Sequence, residues 1–160
     1  MTIKRIVASL LVLATTLAVM AGCSDDSEPV QIIKGYKDSK VYSDNNENDK
    51  ENFSKYIYDE GAEKNFAKSQ DYEKVTAENK EDISGIFEDF QKWASISTFQ
   101  DEYDIKPDIV TEGDYFCIVD SDLNNDNIGQ RKSRTVYRQY TLYLYDTESN
   151  TLYYINHDIT

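Results

Sequence analysis

The clearest pattern of apolar and polar positions lies in residues 76–96. Its apolar residues recur at intervals of three or four positions, and they are Ile83, Ile86, Phe87, Phe90, Trp93 and Ala94. This spacing places them along one face of a helix, with charged residues on the opposite face. Thr76 is the expected N-cap, and acidic residues follow it in the first turn. We therefore predict an amphipathic helix whose apolar face, including Trp93, packs in the core.

The C-terminal part of the chain has the pattern of strands. Runs rich in aromatic and β-branched residues predict strands over residues 115–120, 135–146 and 151–157. The sequence Asp-Thr-Glu-Ser-Asn at 146–150 suits a four-residue hairpin loop in which Asn150 adopts a left-handed conformation. The loop length predicts a register in which Asp146 pairs with Thr151.

This register gives the hairpin two different faces. The residues expected to pack on the helix are Leu142, Leu144, Tyr153 and Ile155. The opposite face carries an apolar patch that we predict as a candidate binding face, consisting of Tyr143, Tyr145, Leu152 and Tyr154. The alternative is that the segment around residues 53–66 folds over these tyrosines and makes them a second small core.

The remaining segments complete a prediction of fold class. Residues 24–52 are polar and acidic, which is typical of an extended chain, although Val30-Gln31-Ile32-Ile33, with Val41-Tyr42 behind it, suits a short edge strand. Residues 53–75 indicate one or two short helical turns. We therefore predict an α+β fold in which one main amphipathic helix precedes and packs on a small antiparallel sheet with a C-terminal hairpin.

The first 23 residues have the pattern of a secretory signal. Lys4 and Arg5 precede an uncharged, mostly apolar run that ends in Ala21-Gly22-Cys23. The segment Val19-Met20-Ala21-Gly22-Cys23 resembles the lipobox of bacterial lipoproteins. The resemblance implies that the Cys23 thiol is lipidated and that Cys23 becomes the new N-terminus. The alternative is an ordinary cleaved signal in which the cysteine occurs by chance.

This N-terminal pattern sets the expected organisation and location of the chain. Residues 1–22 are predicted to be a signal peptide, residues 23–52 a lipid-anchored acidic tether, and residues 53–160 a single α+β domain. The predicted location is the extracytoplasmic face of the cell membrane, reached through lipid on Cys23, because two acyl chains suffice for stable anchoring.

The charge balance restricts the expected partners. The chain has 17 basic and 30 acidic residues and a formal net charge of −13, and loss of Lys4 and Arg5 makes it more negative. Nucleic acid is excluded as a partner because its binding depends on Lys and Arg neutralising phosphates. Direct electrostatic attachment to anionic lipid is disfavoured for the same reason.

No catalytic or cofactor-binding pattern is present. Cys117 lies in an apolar run and is expected to be a buried hydrophobic residue, with no disulfide partner if Cys23 is lipidated. His157 is the single histidine and lies on a strand near the end of the sequence, although contact with Cys117 across the sheet stays open. We therefore predict no catalytic residue and no cofactor.

Two loops carry weaker signals. The loop from Asp120 to Gly129 alternates oxygen-bearing side chains as calcium loops do, but it lacks the expected glycine and the closing glutamate. We predict a solvated connection there and no metal site. The basic cluster from Arg131 to Arg138 either balances nearby acidic residues or forms a docking patch for an anionic partner.

A second resemblance covers much of the predicted domain. Tyr72-Glu73-Lys74-Val75-Thr76, the helix ending at Trp93, Gly113-Asp114-Tyr115-Phe116 and the hairpin at 146–155 resemble small proteins and lipoproteins of Gram-positive bacteria without an assigned activity. The resemblance implies a helix-then-sheet domain and supplies no catalytic residue.

These patterns together favour a non-enzymatic function. The expected function is a non-catalytic binding module of the cell envelope whose partner is an envelope protein, a peptide or a glycan. The alternative is an accessory or inhibitory lipoprotein, of immunity or exclusion type, that acts on a protein target.

Overall fold

A computed structural model describes residues 31–45, 49–119 and 139–159, and in these ranges the chain forms one antiparallel sheet with helices on its faces. The elements in chain order are β1 (Asp38–Asn45), β2 (Asp49–Ile57), α1 (Glu63–Phe66), β3 (Glu73–Lys74), α2 (Lys80–Ala94), β4 (Tyr115–Val119), β5 (Gln139–Asp146) and β6 (Thr151–Ile159). A 3₁₀ turn at Pro107–Ile109 precedes β4. The strand order across the sheet is β1-β2-β6-β5-β4-β3.

This architecture corrects the predicted fold class. The chain is dominated by a six-stranded antiparallel sheet with one long helix, and it is not the balanced α+β fold expected from the sequence. The helix α2 does not precede the strands, since β1, β2 and β3 come before it in the chain. The hairpin β5–β6 lies in the interior of the sheet, where β2 covers the outer side of β6.

The predicted boundary between tether and domain is also corrected. Residues 38–45 and 49–52, assigned to the tether, are paired in β1 and β2. Residues 53–57 form the second half of β2 and are not helical, although α1 supplies one short helical turn at 63–66. The sheet therefore includes chain that its polar composition excluded.

Helix α2 forms where the spacing predicts it, but it is shorter. Its buried residues are Ile83, Ile86, Phe87, Phe90 and Ala94. Thr76 is not the N-cap, because the helix begins after Asn79, and the Asn79 side chain instead accepts a hydrogen bond from the Thr76 N–H at 2.8 Å. Trp93 is half-buried at the edge of the apolar face. No helix among the described residues is long and apolar enough to cross a membrane.

The predicted β5–β6 hairpin is confirmed in its register. Asp146 pairs with Thr151 and Tyr143 with Tyr154, and Asn150 has the expected positive φ of 54°. The turn is held by the Asp146 carboxylate, which accepts hydrogen bonds from the Ser149 hydroxyl and from the backbone N–H of Glu148.

Each face of the sheet carries its own apolar core. The main core lies between the sheet and α2, and its largest sheet residues include Phe53, Phe116, Leu142, Leu144 and Ile155. The second core lies on the opposite face and is rich in tyrosine; it includes Ile32, Tyr58, Phe66, Tyr72, Tyr143, Tyr145 and Leu152. Both faces of the central strands are therefore covered.

Candidate functional site

The predicted binding face is the floor of the second core. Tyr145 and Leu152 are 0 % exposed and Tyr143 is 1 % exposed, while Tyr154 is half-buried beside the Tyr143 ring. The predicted register places these residues together correctly, but other parts of the chain cover them. The alternative prediction, a second small core, describes their surroundings.

Helix α1 covers one part of this face. Its last residue, Phe66, stacks on Tyr145 with 3.8 Å between ring centroids and an interplanar angle of 13°. Phe66 also makes edge contacts with Tyr58 and Tyr72. These four rings form a compact aromatic cluster, which fixes α1 against the sheet.

Residues 31–37, which we call the strap, cover the other part. Ile32 is 7 % exposed and belongs to the second core. The Tyr72 hydroxyl donates to the Gln31 carbonyl at 3.0 Å, and the Tyr58 hydroxyl donates to the Ile33 carbonyl at 2.6 Å. The Tyr143 hydroxyl donates to the Gln31 side-chain oxygen at 3.2 Å. Three tyrosines from different parts of the chain thus hold the strap.

Burial makes ionisation of these hydroxyls still less favourable than it is in water. Removal from water disfavours a phenolate, and it raises the pKa of Tyr72 and of Tyr143 well above the ordinary tyrosine value. Both side chains are therefore protonated hydrogen-bond donors at neutral pH.

The strap lies on the sheet without being a strand of it. The backbone–backbone hydrogen bond that we find between the strap and another described residue is the one from the Lys37 N–H to the Ile57 carbonyl, at 2.8 Å. Gly35 turns the chain with a φ of 106°, a conformation that glycine adopts at little cost. Side-chain contacts therefore hold the first part of the strap in place.

A buried acid–histidine pair lies on the other face of the sheet. Glu51 and His157 are cross-strand partners in β2 and β6, with 3.1 Å between the Glu51 Oε1 and His157 Nδ1 atoms. Trp93 stacks on the imidazole at 4.6 Å between ring centroids, and the Tyr140 ring lies 5.4 Å away. A carboxylate at Nδ1 orients the imidazole, and Trp93 covers it.

The cysteine that could have acted with this histidine is remote from it. Cys117 pairs with Tyr143 and lies in the second core, whereas His157 is on the opposite face of the sheet. Burial raises the pKa of the Cys117 thiol to about 12, so the thiol is protonated at neutral pH and is a poor nucleophile. The structure does not bring Cys117 and His157 together.

Other predicted features lie outside the described residues. They are Cys23 and the signal peptide, the loop from Asp120 to Gly129, and the basic cluster from Arg131 to Arg138. Within the described ranges, we find no group of three or more His, Cys, Asp or Glu side chains arranged to hold a metal ion.

The sequence patterns did not identify the residues that form the acid–histidine pair and hold the strap. These residues include Glu51, Tyr58 and Tyr72, and they lie in segments whose mixed polar and aromatic residues gave no periodic signal. Gln31 and Ile32 gave a partial signal, since the run Val30-Gln31-Ile32-Ile33 predicted docking. The strap docks on the face of the sheet instead of its edge.

The chain matches no protein-family model, no curated protein and no solved structure.

Proposed function

We propose that this chain is a lipid-anchored protein of the extracytoplasmic face of the membrane that binds a partner without catalysing a reaction. The observation that carries the proposal is the sequence Val19-Met20-Ala21-Gly22-Cys23 after an apolar run, which resembles a lipobox. Lipid on Cys23 would hold the domain at the membrane, and the excess of acidic residues would keep the domain in water.

The environments of the reactive side chains support binding over catalysis. Glu51 and His157 bond to each other in the interior, and Trp93 covers the imidazole. The thiol of Cys117 is buried on the other face. Covalent catalysis would need a nucleophile and a base within hydrogen-bond reach of each other, and the Cys117 thiol and the His157 imidazole lie on opposite faces of the sheet.

The charge of the chain supports a neutral or basic partner. Acidic residues outnumber basic ones 30 to 17, which opposes nucleic acid and other polyanions. A neutral or basic envelope protein, peptide or glycan would not be repelled in this way.

Membrane attachment is tested by Cys23→Ala, with Cys117→Ala as the matched control because it removes the other cysteine. We expect the wild-type chain and Cys117→Ala in the membrane fraction. Cys23→Ala should appear in the soluble fraction or as an uncleaved precursor. Mass spectrometry that finds an unmodified Cys23 in the mature chain would refute the anchor.

Binding is tested by using the purified full-length chain to capture partners from detergent-solubilised envelope. Saturable capture of a defined peptide or glycan is the expected result. Capture of one stoichiometric protein would instead favour an accessory or inhibitory lipoprotein. Turnover of a captured molecule by the purified chain would contradict a non-catalytic role.

A further inference from the structure

The strap is opposite in charge to the protein as a whole. Residues 31–37 have the sequence Gln-Ile-Ile-Lys-Gly-Tyr-Lys, with two lysines and no acidic residue, in a chain of net charge −13. Lys37 lies 3.3 Å from the Asp59 carboxylate, which continues this complementarity at the surface. The strap is therefore a basic, partly apolar segment bound by an acidic protein.

The contacts that hold the strap include hydrogen bonds to its main chain. Tyr72 and Tyr58 donate to the carbonyls of Gln31 and Ile33, which are two residues apart, the spacing at which the carbonyls of an extended chain point to the same side. Between them, the Ile32 side chain enters the second core. Hydrogen bonds to main-chain carbonyls do not depend on which side chains the bound segment carries. The apolar site for Ile32, by contrast, selects an aliphatic side chain.

The strap is attached more weakly than the strands beneath it. The strands β2 and β6 are paired along nine residues, and β5 and β6 along eight. The strap is held mainly by side chains: the three tyrosine hydrogen bonds, buried Ile32, the edge contacts of the Tyr36 ring with Tyr56 and Tyr58, and the Lys37–Asp59 ion pair. Its one backbone hydrogen bond to another described residue lies at its end, so it lacks the backbone ladder of the strands. Such a segment can open locally while the sheet stays folded.

We propose that the groove beneath the strap, formed by Tyr58, Tyr72, Tyr143 and the site of Ile32, binds an extended polypeptide segment of another protein. The strap occupies this groove until the partner segment displaces it. The partner segment matches the strap in chemistry: it is extended, it places an aliphatic side chain in the Ile32 site, and it is neutral or basic. This inference rests on the proposed binding function and names its site and partner class.

The test uses the full-length chain in detergent and a synthetic peptide of residues 31–37 with blocked ends. Ile32→Asp places a charge in the apolar site and should release the strap. We expect this variant to bind the peptide at least about tenfold more tightly than the wild type, whose own strap competes. Ile96→Asp is the matched control, because Ile96 is 76 % exposed at the end of α2, and it should bind like the wild type.

Two further comparisons locate the binding in the groove. Adding Tyr72→Phe to Ile32→Asp removes one donor to a main-chain carbonyl and should weaken peptide binding about fivefold. A peptide with aspartate in place of Ile32 should bind at least about tenfold more weakly than the original peptide.

The proposal is overturned if Ile32→Asp keeps its near-ultraviolet circular dichroism and does not bind the peptide at millimolar concentration. It is also overturned if the wild type and Ile32→Asp bind equally. If Ile32→Asp unfolds, Ile32→Ala takes its place, since it shortens the side chain without adding charge. A gain of at least about threefold over the wild type is then expected, and no gain overturns the proposal.

Failure of this inference is distinguishable from failure of the proposed function. Peptide binding is measured without membranes and does not depend on Cys23. If the chain is lipidated but does not bind the peptide, the proposed groove is wrong and the proposed anchor stands. If the chain binds the peptide but Cys23 is unmodified, the proposed anchor is wrong and the proposed groove stands.

Discussion

Asp114 is a buried carboxylate whose hydrogen bonds join two turns. Its side chain is 0 % exposed. One oxygen accepts from the Thr111 N–H at 2.8 Å and from the Thr111 hydroxyl at 3.0 Å. The other accepts from the N–H and the hydroxyl of Thr147, both at 3.0 Å. One residue thereby fixes the start of β4 against the turn between β5 and β6.

Asp114→Ala should lower the free energy of unfolding by about 2–4 kcal/mol, because it leaves four partly buried donors of Thr111 and Thr147 without their acceptor. The matched control is Asp108→Ala, an exposed aspartate nearby, which should change stability by less than about 0.5 kcal/mol. Urea denaturation measures both. A loss below about 1 kcal/mol for Asp114→Ala would mean that water replaces the carboxylate.

The Glu51–His157 pair is a second place where single residues decide stability. Glu51→Ala removes a carboxylate that contacts a fully buried imidazole, and it should cost about 1–3 kcal/mol. Glu51→Gln keeps an oxygen at this position and should cost less. Glu60→Ala, at an exposed position, is the control in the same denaturation experiment. Equal stability of Glu51→Ala and the wild type would contradict a structural role for the contact.

The helices and strands that could be predicted from the sequence are those whose side chains are buried in a regular pattern. Helix α2 has one buried face and one solvated face, so its periodicity is visible in the sequence. The β5–β6 turn is determined by local chemistry at Asp146 and Asn150. In β2, by contrast, both faces are covered, and Glu51 and Ser54 are buried beside Phe53 and Tyr56. That mixture removes the alternation by which a strand is recognised.

Most of the strand β1 was missed for the opposite reason, since only Val41-Tyr42 within it gave a strand signal. Most of its side chains are exposed, including Val41, and it lies at the edge of the sheet. An exposed edge strand needs little apolar surface of its own, so its composition resembles that of an extended tether. The strap depends on tyrosines distant in sequence, which no local pattern could associate with it. The tyrosine face was predictable, and so was its partial cover by the segment around residues 53–66, which supplies Tyr58 and Phe66, but its cover by the strap was not.

A truncation tests the corrected boundary. A chain beginning at Phe53, the domain start expected from sequence, lacks β1 and the first half of β2 and leaves residues 156–159 of β6 unpaired on that side. It should fail to show a cooperative thermal transition, because Phe53 loses the stacked Tyr42 ring and His157 loses its cross-strand partner Glu51. A chain beginning at Gln31 is the matched control and should unfold cooperatively. Cooperative unfolding of the shorter chain would contradict the boundary.

Across the described residues, burial raises the pKa of many tyrosines. They are Tyr72, Tyr103, Tyr115, Tyr140, Tyr143, Tyr145, Tyr153 and Tyr154, and the pKa of Tyr154 is raised to about 12. Both cores contribute to this set. The folded state therefore binds protons more tightly than the unfolded chain in the alkaline range.

Alkaline titration should accordingly unfold the protein. A group whose pKa is raised by folding contributes stability that is complete below its unfolded value, about 10 for tyrosine. That stability is lost as the pH rises from there through the folded value, because the unfolded chain releases its protons first. Ultraviolet absorbance of tyrosinate should rise in two phases, the second coinciding with loss of circular dichroism.

Tyr154→Phe provides the variant for this titration, and Val41→Ala, at an exposed position of β1 that does not titrate, provides the control. Phenylalanine has no proton to release on unfolding, so Tyr154→Phe should shift the second phase to higher pH, whereas the control should leave it unchanged. A single phase near pH 10 with unchanged circular dichroism would contradict the buried state of the tyrosines. It would also contradict the buried Tyr72 and Tyr143 donors that hold the strap, because a hydroxyl that ionises at its ordinary pKa without unfolding is exposed to water.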